Sequence, residues 1–128
     1  MVRSRIIGTG MAAPSRVVPN AELCREGHPT PDEVFALTGI RERRWVESGQ
    51  ATSDLATEAA RQVLAAAGWA PSTVDAIILS TTSPDTIFPS TACYVQRAIG
   101  ARSVAAFDLA ASCSGFLYGL SMADVLIR

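Results

Sequence analysis

The stretch "VAAFDLAASCSGFLYGLSMADVLIR", residues 104–128, joins two apolar runs through Ser112, Cys113, Ser114 and Gly115. The first run reads as a strand and the second as a long helix, so a single cysteine sits on a strand-to-helix junction. In open α/β sheets, reactive groups gather at the carboxyl ends of the strands. A cysteine there lies beside the free N–H groups of a helix start, a position that favours thiolate. The N–H groups of the same turn can face an oxyanion formed on attack. Ala110, Ala111, Ser112, Ser114 and Gly115 are small and leave room for a substrate carbonyl. This pattern suits covalent acyl transfer through Cys113. A lone cysteine among apolar residues is also commonly an inert core residue, and position alone leaves both readings open.

The helix after Cys113 has almost no polar face. Phe116, Leu117, Tyr118, Leu120, Met122, Ala123, Val125, Leu126 and Ile127 spread around its circumference, interrupted by Ser121 and Asp124. A helix that is apolar all round is buried all round. Little sequence remains to cover it, and no Gly, Asn or Pro stops it before Arg128. The expectation is a natural chain that continues past residue 128. The alternative is a greasy face closed in a homodimer.

Upstream, the same alternation repeats. "VDAIILSTTSP", from Val74, predicts a strand covered on both faces, and "FPSTACYVQRAIG" predicts a helix ending at Gly100. "TSDLATEAARQVLAAAGW" predicts a helix capped by Ser53, with Asp54 and Glu58 near its positive end. Leu55, Ala59, Val63 and Leu64 share one face, and Gly68 is its stop. "TPDEVFALTG" predicts a helix with Thr30 as N-cap, Pro31 in the first turn and Gly39 after its end. "IRERRWV" predicts a short exposed strand. Residues 14–33 otherwise read as loop with a turn of helix at 20–25, and "SRIIGTGMAAP" as a strand running into a loop. Strand, helix, strand, helix, strand, helix is an α/β pattern with parallel strands.

Composition excludes several classes. The 128 residues are 48% hydrophobic, and 11 basic against 12 acidic residues give a net charge of −1. Such a chain can bury about two thirds of its unfolded surface in one domain. No basic block points to nucleic acid. No run approaches the roughly 18 apolar residues of a membrane span. The N-terminal segment has too short an apolar core for a signal peptide. Three irregularly spaced cysteines make no disulfide framework, so a cytoplasmic setting is expected. No metal site is expected.

Several segments, in order, resemble β-ketoacyl-acyl-carrier-protein synthase III of the thiolase-fold condensing enzymes. They are "IIGTGMAAPSRVVPNAEL", "TGIRERRW", "STTSPDTIFPSTACYVQRAIG" and "AFDLAASCSGFLYGLSMAD". The likeness covers nearly all 128 residues but only the first part of the family's usual length. It implies a layered α/β, thiolase-like fold with a mixed, mostly parallel sheet. Residues 1–128 would be its N-terminal part, and the C-terminal half would be absent. It implies that Cys113 takes an acyl group from an acyl-CoA or acyl-carrier-protein thioester and condenses it with a malonyl thioester, with no permanently bound cofactor. A His, an Asn and an oxyanion glycine are expected from beyond residue 128. The single histidine, His28, reads as a surface residue. Phe88 matches a position that helps close the partner's acyl pocket, and homodimerisation is expected through the third strand, "VAAFDL", a bare edge. Thr82 sits near Phe88 and reads as a turn cap.

The chain departs from the family before "TGIRER". Val34 stands near a Trp, and Leu37 at an Arg, that flank the adenine of coenzyme A in well-known members. Thr30 matches a coenzyme-contacting position, though a helix cap explains it equally. Arg41, with Arg43 and Arg44, is a candidate for a phosphate or the acidic face of a carrier protein. Cys24 and Cys93 receive no role. A truncated or partner-dependent domain without condensation activity, or acyl transfer without condensation, remains the alternative. A cysteine hydrolase lacks its histidine.

Overall fold

The computed structural model describes residues 4–24 and 29–128. They divide into two compact units. One is Ala13–Gln50, and the other joins the N-terminal segment through Ala12 to Ala51–Arg128.

In the smaller unit, β1 (Arg16–Pro19) pairs antiparallel with β2 (Glu42–Trp45), in register Val18↔Arg43. Between them lie α1 (Asn20–Leu23) and α2 (Pro31–Thr38). Asn20 is the polar centre of this unit and only 4% exposed. Its side-chain amide donates to the Ile40 carbonyl at 2.7 Å and its carbonyl accepts from Arg43 Nη1 at 2.7 Å. A buried amide is stable only when satisfied in this way. Helix α2 begins as its sequence predicts. The Thr30 hydroxyl accepts from the Glu33 N–H, and the Glu33 carboxylate takes the Thr30 N–H at 2.7 Å, a reciprocal capping box. Gly39 ends the helix at φ 70°.

In the larger unit, α3 (Thr52–Ala67) and α4 (Thr91–Ile99) pack together. Strands β3 (Ala76–Ser80) and β4 (Ala105–Leu109) pair in parallel, in register Ser80↔Leu109. Ala92 and Val95 of α4 are buried in its core. Helix α5 (Gly115–Ile127) follows β4 through a 3-10 turn, Ser112–Ser114. Gly68 and Gly100 end α3 and α4 in left-handed conformation.

Two expectations need correction. Among the described residues, "SRIIGTGMAAP" is not a strand. Residues 4–14 carry no regular structure, and Gly8 to Met11 lie along α3, where a Cβ on Gly10 would meet the Ala59 carbonyl at 2.3 Å. The described strands form two pairs, β1 with β2 antiparallel and β3 with β4 parallel, a mixed arrangement. Finally, Ser53 does not cap α3. The helix starts two residues earlier, with Ala51 at the cap position; Asp54 reaches back to the Ala51 N–H at 2.8 Å, and the Ser53 N–H donates to Asp85 Oδ1 at 2.9 Å.

The start of α4 is held from the neighbouring strand. Asp108 of β4 accepts the N–H groups of Thr91 and Ala92 at 2.7 and 2.8 Å, standing where a local N-cap would. Asp108→Ala strands these two donors, and Thr91 is fully buried. It should lower stability by about 1–3 kcal/mol, with Asp108→Asn milder, as measured by denaturant unfolding.

Candidate active site

Strands β3 and β4 run side by side and in the same direction, so the connections leaving their carboxyl ends leave one edge. The β3 connection carries Thr82 and Phe88, and the β4 connection carries Cys113. The register holds up to that edge, where the Thr81 N–H donates to the Leu109 carbonyl at 3.2 Å.

Cys113 is the central residue of the turn between β4 and α5, and it is exposed. Ser112, immediately before it, has φ 44° and is the one non-glycine residue with positive φ among those described. For a residue with a Cβ this region is disfavoured, and such strain gathers at functional turns. The turn is closed by the Ser114 N–H on the Ala111 carbonyl at 3.0 Å and the Gly115 N–H on the Ser112 carbonyl. Ser114 contributes no side-chain cap, so the first N–H groups of α5 lack a side-chain acceptor from the N-cap residue. An exposed thiol at that helix start can attack a carbonyl and leave the resulting oxyanion near N–H donors.

Helix α5 packs in an unexpected sense. Its sequence predicts burial all round, but Gly115 alone is buried, and Gly119 and Ala123 are half-buried. These three small residues, four apart, face inward, and Gly119 would carry a Cβ 3.8 Å from Ile78 Cγ2 of β3. The large side chains point away. Phe116 is 66% exposed and Val125 72%.

The β3 connection is tied at several points. The Asp85 N–H donates to Thr91 Oγ1 at 3.1 Å, Thr52 Oγ1 to the Ser83 carbonyl at 2.7 Å, and Thr86 Oγ1 to the Pro89 carbonyl at 2.9 Å. From this fixed loop Ile87 and Phe88 project, 100% and 89% exposed. Phe88 is therefore not a core residue here. Thr82 is exposed, and Thr81, not Thr82, makes the turn bond, its hydroxyl accepting from the Ser83 N–H at 3.0 Å.

Thr30 and Arg41 belong to the smaller unit. Thr30 serves the capping box of α2. Arg41 is exposed, with its guanidinium carbon 3.7 Å from the centre of the Phe35 ring, a cation–π stack. Arg43 and Arg44 are engaged internally, with Asn20 and with the Ser15 carbonyl. Val34 lines a shallow recess with Cys24 and Arg43, and Leu37 is 83% exposed. Cys93 is half-buried, its thiol directed to the Ala106 carbonyl. His28 lies outside the described residues. A polar groove of roughly 480 Å³ between α3 and α4 is lined by Glu58, Arg61, Tyr94 and Arg97, and Cys113 does not border it. Among the described residues no cluster of three or more His, Cys, Asp or Glu could hold a metal ion, and no helix is long and apolar enough to cross a membrane.

No family model matches the chain. It is 51% identical over 128 residues to the β-ketoacyl-[acyl-carrier-protein] synthase III of Rhizorhabdus wittichii, covering 100% of this chain and 40% of that one. The same enzyme of Bordetella petrii is 50% identical over 133 residues, again with 100% and 40% covered. The chain matches the N-terminal portion of the β-ketoacyl-[acyl-carrier-protein] synthase III family. The crystal structure of 3-oxoacyl-[acyl-carrier-protein] synthase III from Aquifex aeolicus superposes with a TM-score of 0.90 at 41% identity, covering 96% of this chain and 40% of that one. The priming β-ketosynthase of the R1128 polyketide pathway does so with a TM-score of 0.87 at 32% identity, covering 94% and 36%. The fold is thus the α/β, thiolase-like fold of condensing enzymes. The chain spans about 40% of the length of the curated relatives it matches.

Two outcomes follow from the site's geometry. At position 112, Gly removes the left-handed clash, about 1–2 kcal/mol, but adds unfolded-state entropy that offsets part of it. Ser112→Gly should leave stability within about 1 kcal/mol, whereas the β-branched Ser112→Val should lose more than that in denaturant unfolding. In the capping box, the Thr30 N–H and then the Thr30 hydroxyl hold the Glu33 carboxyl below its ordinary value of 4.5. Its contribution is complete above that value and is lost as pH falls through the lowered folded value. Thr30→Val removes the hydroxyl but keeps the backbone N–H, so it should raise the Glu33 titration only part of the way toward 4.5, as followed by carboxyl NMR shifts.

Proposed function

We propose that the chain is the nucleophile-bearing part of an acyltransferase of the β-ketoacyl-acyl-carrier-protein synthase III type, with Cys113 as the acyl-accepting residue. The observation that carries this is the exposed Cys113 on a strained turn between β4 and α5. Identity near 50% to enzymes of that name supports it.

The Cys113 thiolate attacks the carbonyl carbon of an acyl thioester. The C–S bond to the donor breaks, the donor leaves as its free thiol, and an acyl-Cys113 thioester remains. A malonyl thioester then loses carbon dioxide, and the carbanion left behind attacks the acyl carbonyl. A carbon–carbon bond forms and Cys113 is released as thiolate. The His, Asn and glycine N–H that the family uses for decarboxylation and oxyanion binding belong to sequence beyond residue 128, so residues 1–128 alone carry out no condensation. A layer formed by the part of the curated relatives' length that this chain does not span would cover the exposed side chains of α5.

The donor is a coenzyme A or carrier-protein thioester. Thr30 and the Arg41–Phe35 stack are the residues of the smaller unit assigned to it, and Arg41 keeps its charge outward for a phosphate or an acidic carrier surface. The protein works as a cytoplasmic homodimer in fatty-acid or polyketide-type synthesis, joined through the edge of β4 that has no partner strand among the described residues, with Phe88 reaching the partner's acyl pocket. The exposure of Phe88 on a tied loop supports that role.

Incubating the full-length protein with an acyl thioester should give an acyl adduct on the Cys113 peptide by mass spectrometry. Cys113→Ser should lose the adduct and at least 10²-fold of condensation rate. A folded full-length protein without the adduct overturns the reading in favour of a non-catalytic domain.

A further inference from the structure

Ser80, the last residue of β3, comes close to Gly115 at the start of α5. A Cβ built on Gly115 would lie 1.9 Å from Ser80 Oγ and 3.2 Å from Ser80 Cβ. No side chain fits there unless Ser80 moves, so glycine is the residue that permits this contact. One turn later the same helix face is relaxed, because a Cβ on Gly119 would meet only Ile78 Cγ2, at 3.8 Å. The constraint is therefore local to the start of α5.

The backbones of both partners are fixed, and because the Ser80 hydroxyl can turn about χ1, the approach of Ser80 Cβ at 3.2 Å is the fixed part of the contact. Ser80 is paired in register with Leu109, and the next residue bonds back to the Leu109 carbonyl. Gly115 is buried, lies two residues from Cys113, and its N–H closes the turn on the Ser112 carbonyl. The contact is steric, and Ser80 Oγ makes no hydrogen bond among the described residues. A shift at Gly115 is passed to Cys113 through the three-residue turn, which has little freedom to absorb it with Ser112 already strained.

We propose that Ser80 is a positioning residue for Cys113: seated against the bare Cα of Gly115, it sets how far the cysteine turn stands above the sheet. Its consequence for acyl transfer rests on the reading of Cys113 as the nucleophile. A displacement of about 1 Å at a reacting group can change a rate by 10²-fold.

The test uses the full-length protein and four variants: Gly115→Ala, Ser80→Gly, the double variant, and Gly119→Ala. Two rates are measured at one pH, acylation of Cys113 by an acyl thioester and alkylation of each cysteine by iodoacetamide, resolved by peptide mass spectrometry. Gly115→Ala should slow acylation at least tenfold and shift Cys113 alkylation at least threefold, leaving Cys24 and Cys93 unchanged. The double variant should restore both rates to within threefold of Ser80→Gly, and Gly119→Ala should match the parent. A general loss of folding would move all three cysteines together. Parental rates in Gly115→Ala, or no recovery in the double variant, overturn the proposal. If Gly115→Ala does not fold, Ser80→Gly decides. A threefold or greater change in Cys113 alkylation at unchanged melting temperature supports the proposal, and parental rates overturn it. Should the parent show no acyl adduct, the nucleophile reading fails. The alkylation pattern then still decides whether Ser80 positions Cys113.

Discussion

The carboxylate of Asp108 is the interaction on which the larger unit depends. It lies on β4, five residues before Cys113, and takes the first two N–H groups of α4. A helix start needs acceptors for its free N–H groups, and here a neighbouring strand supplies them instead of a local cap. One carboxylate therefore fixes where α4 begins relative to β4. The loop that ends at α4 is fixed with it, through Thr91 Oγ1 to Asp85 and through Asp85 to the start of α3. The projecting Phe88 and the strand leading to Cys113 share one anchor.

Helix α5 shows what that frame leaves undone. The side it gives to β3 is made of Gly115, Gly119 and Ala123, which bury little apolar area but allow the backbone to come close. The side chains with large apolar area face outward. Full burial of one such side chain stabilises by about 1.5–3 kcal/mol, so most of the stabilisation encoded in α5 is unrealised within these residues. Small residues inward and large residues outward is the pattern of a helix between two layers, with one layer present.

Local chemistry was legible in the sequence wherever one residue decides one structural step. Thr30, Gly39, Gly68 and Gly100 mark helix ends, and the Cys113 turn falls on its predicted junction, because caps and left-handed stops act within a few residues. What was not legible depended on distant partners. Ile6 and Ile7 carry a strand-like composition, but strands exist by pairing, and Gly8 and Gly10 instead let this segment lie against α3. Ser53 is a good cap by type, yet Asp54 and Asp85 take the bonds around it. Ser112 gave no signal, since serine is not a residue that marks positive φ. Asp108 gave a faint one: a carboxylate inside the apolar run "AAFDLAA" needs buried donors. Of the site residues expected in the smaller unit, Thr30 was fixed by its capping box, whereas the stack of Arg41 on Phe35 joins residues on opposite sides of Gly39 and had no local signature.

The two aspects of α5 bear on one another. The N–H groups at its start are donors beside the Cys113 turn, and the strength of any attraction they exert depends on the surrounding dielectric. In water the attraction between partial charges a few ångströms apart is small, and it grows several-fold where water is excluded. With Phe116 and Leu117 exposed beside the turn, water reaches Cys113 and weakens those N–H groups. A layer that covers these side chains would bury apolar area and lower the dielectric around Cys113 in the same step. Folding energy and the dielectric at the Cys113 turn then respond to one event, because the large apolar residues turned outward stand directly beside that turn.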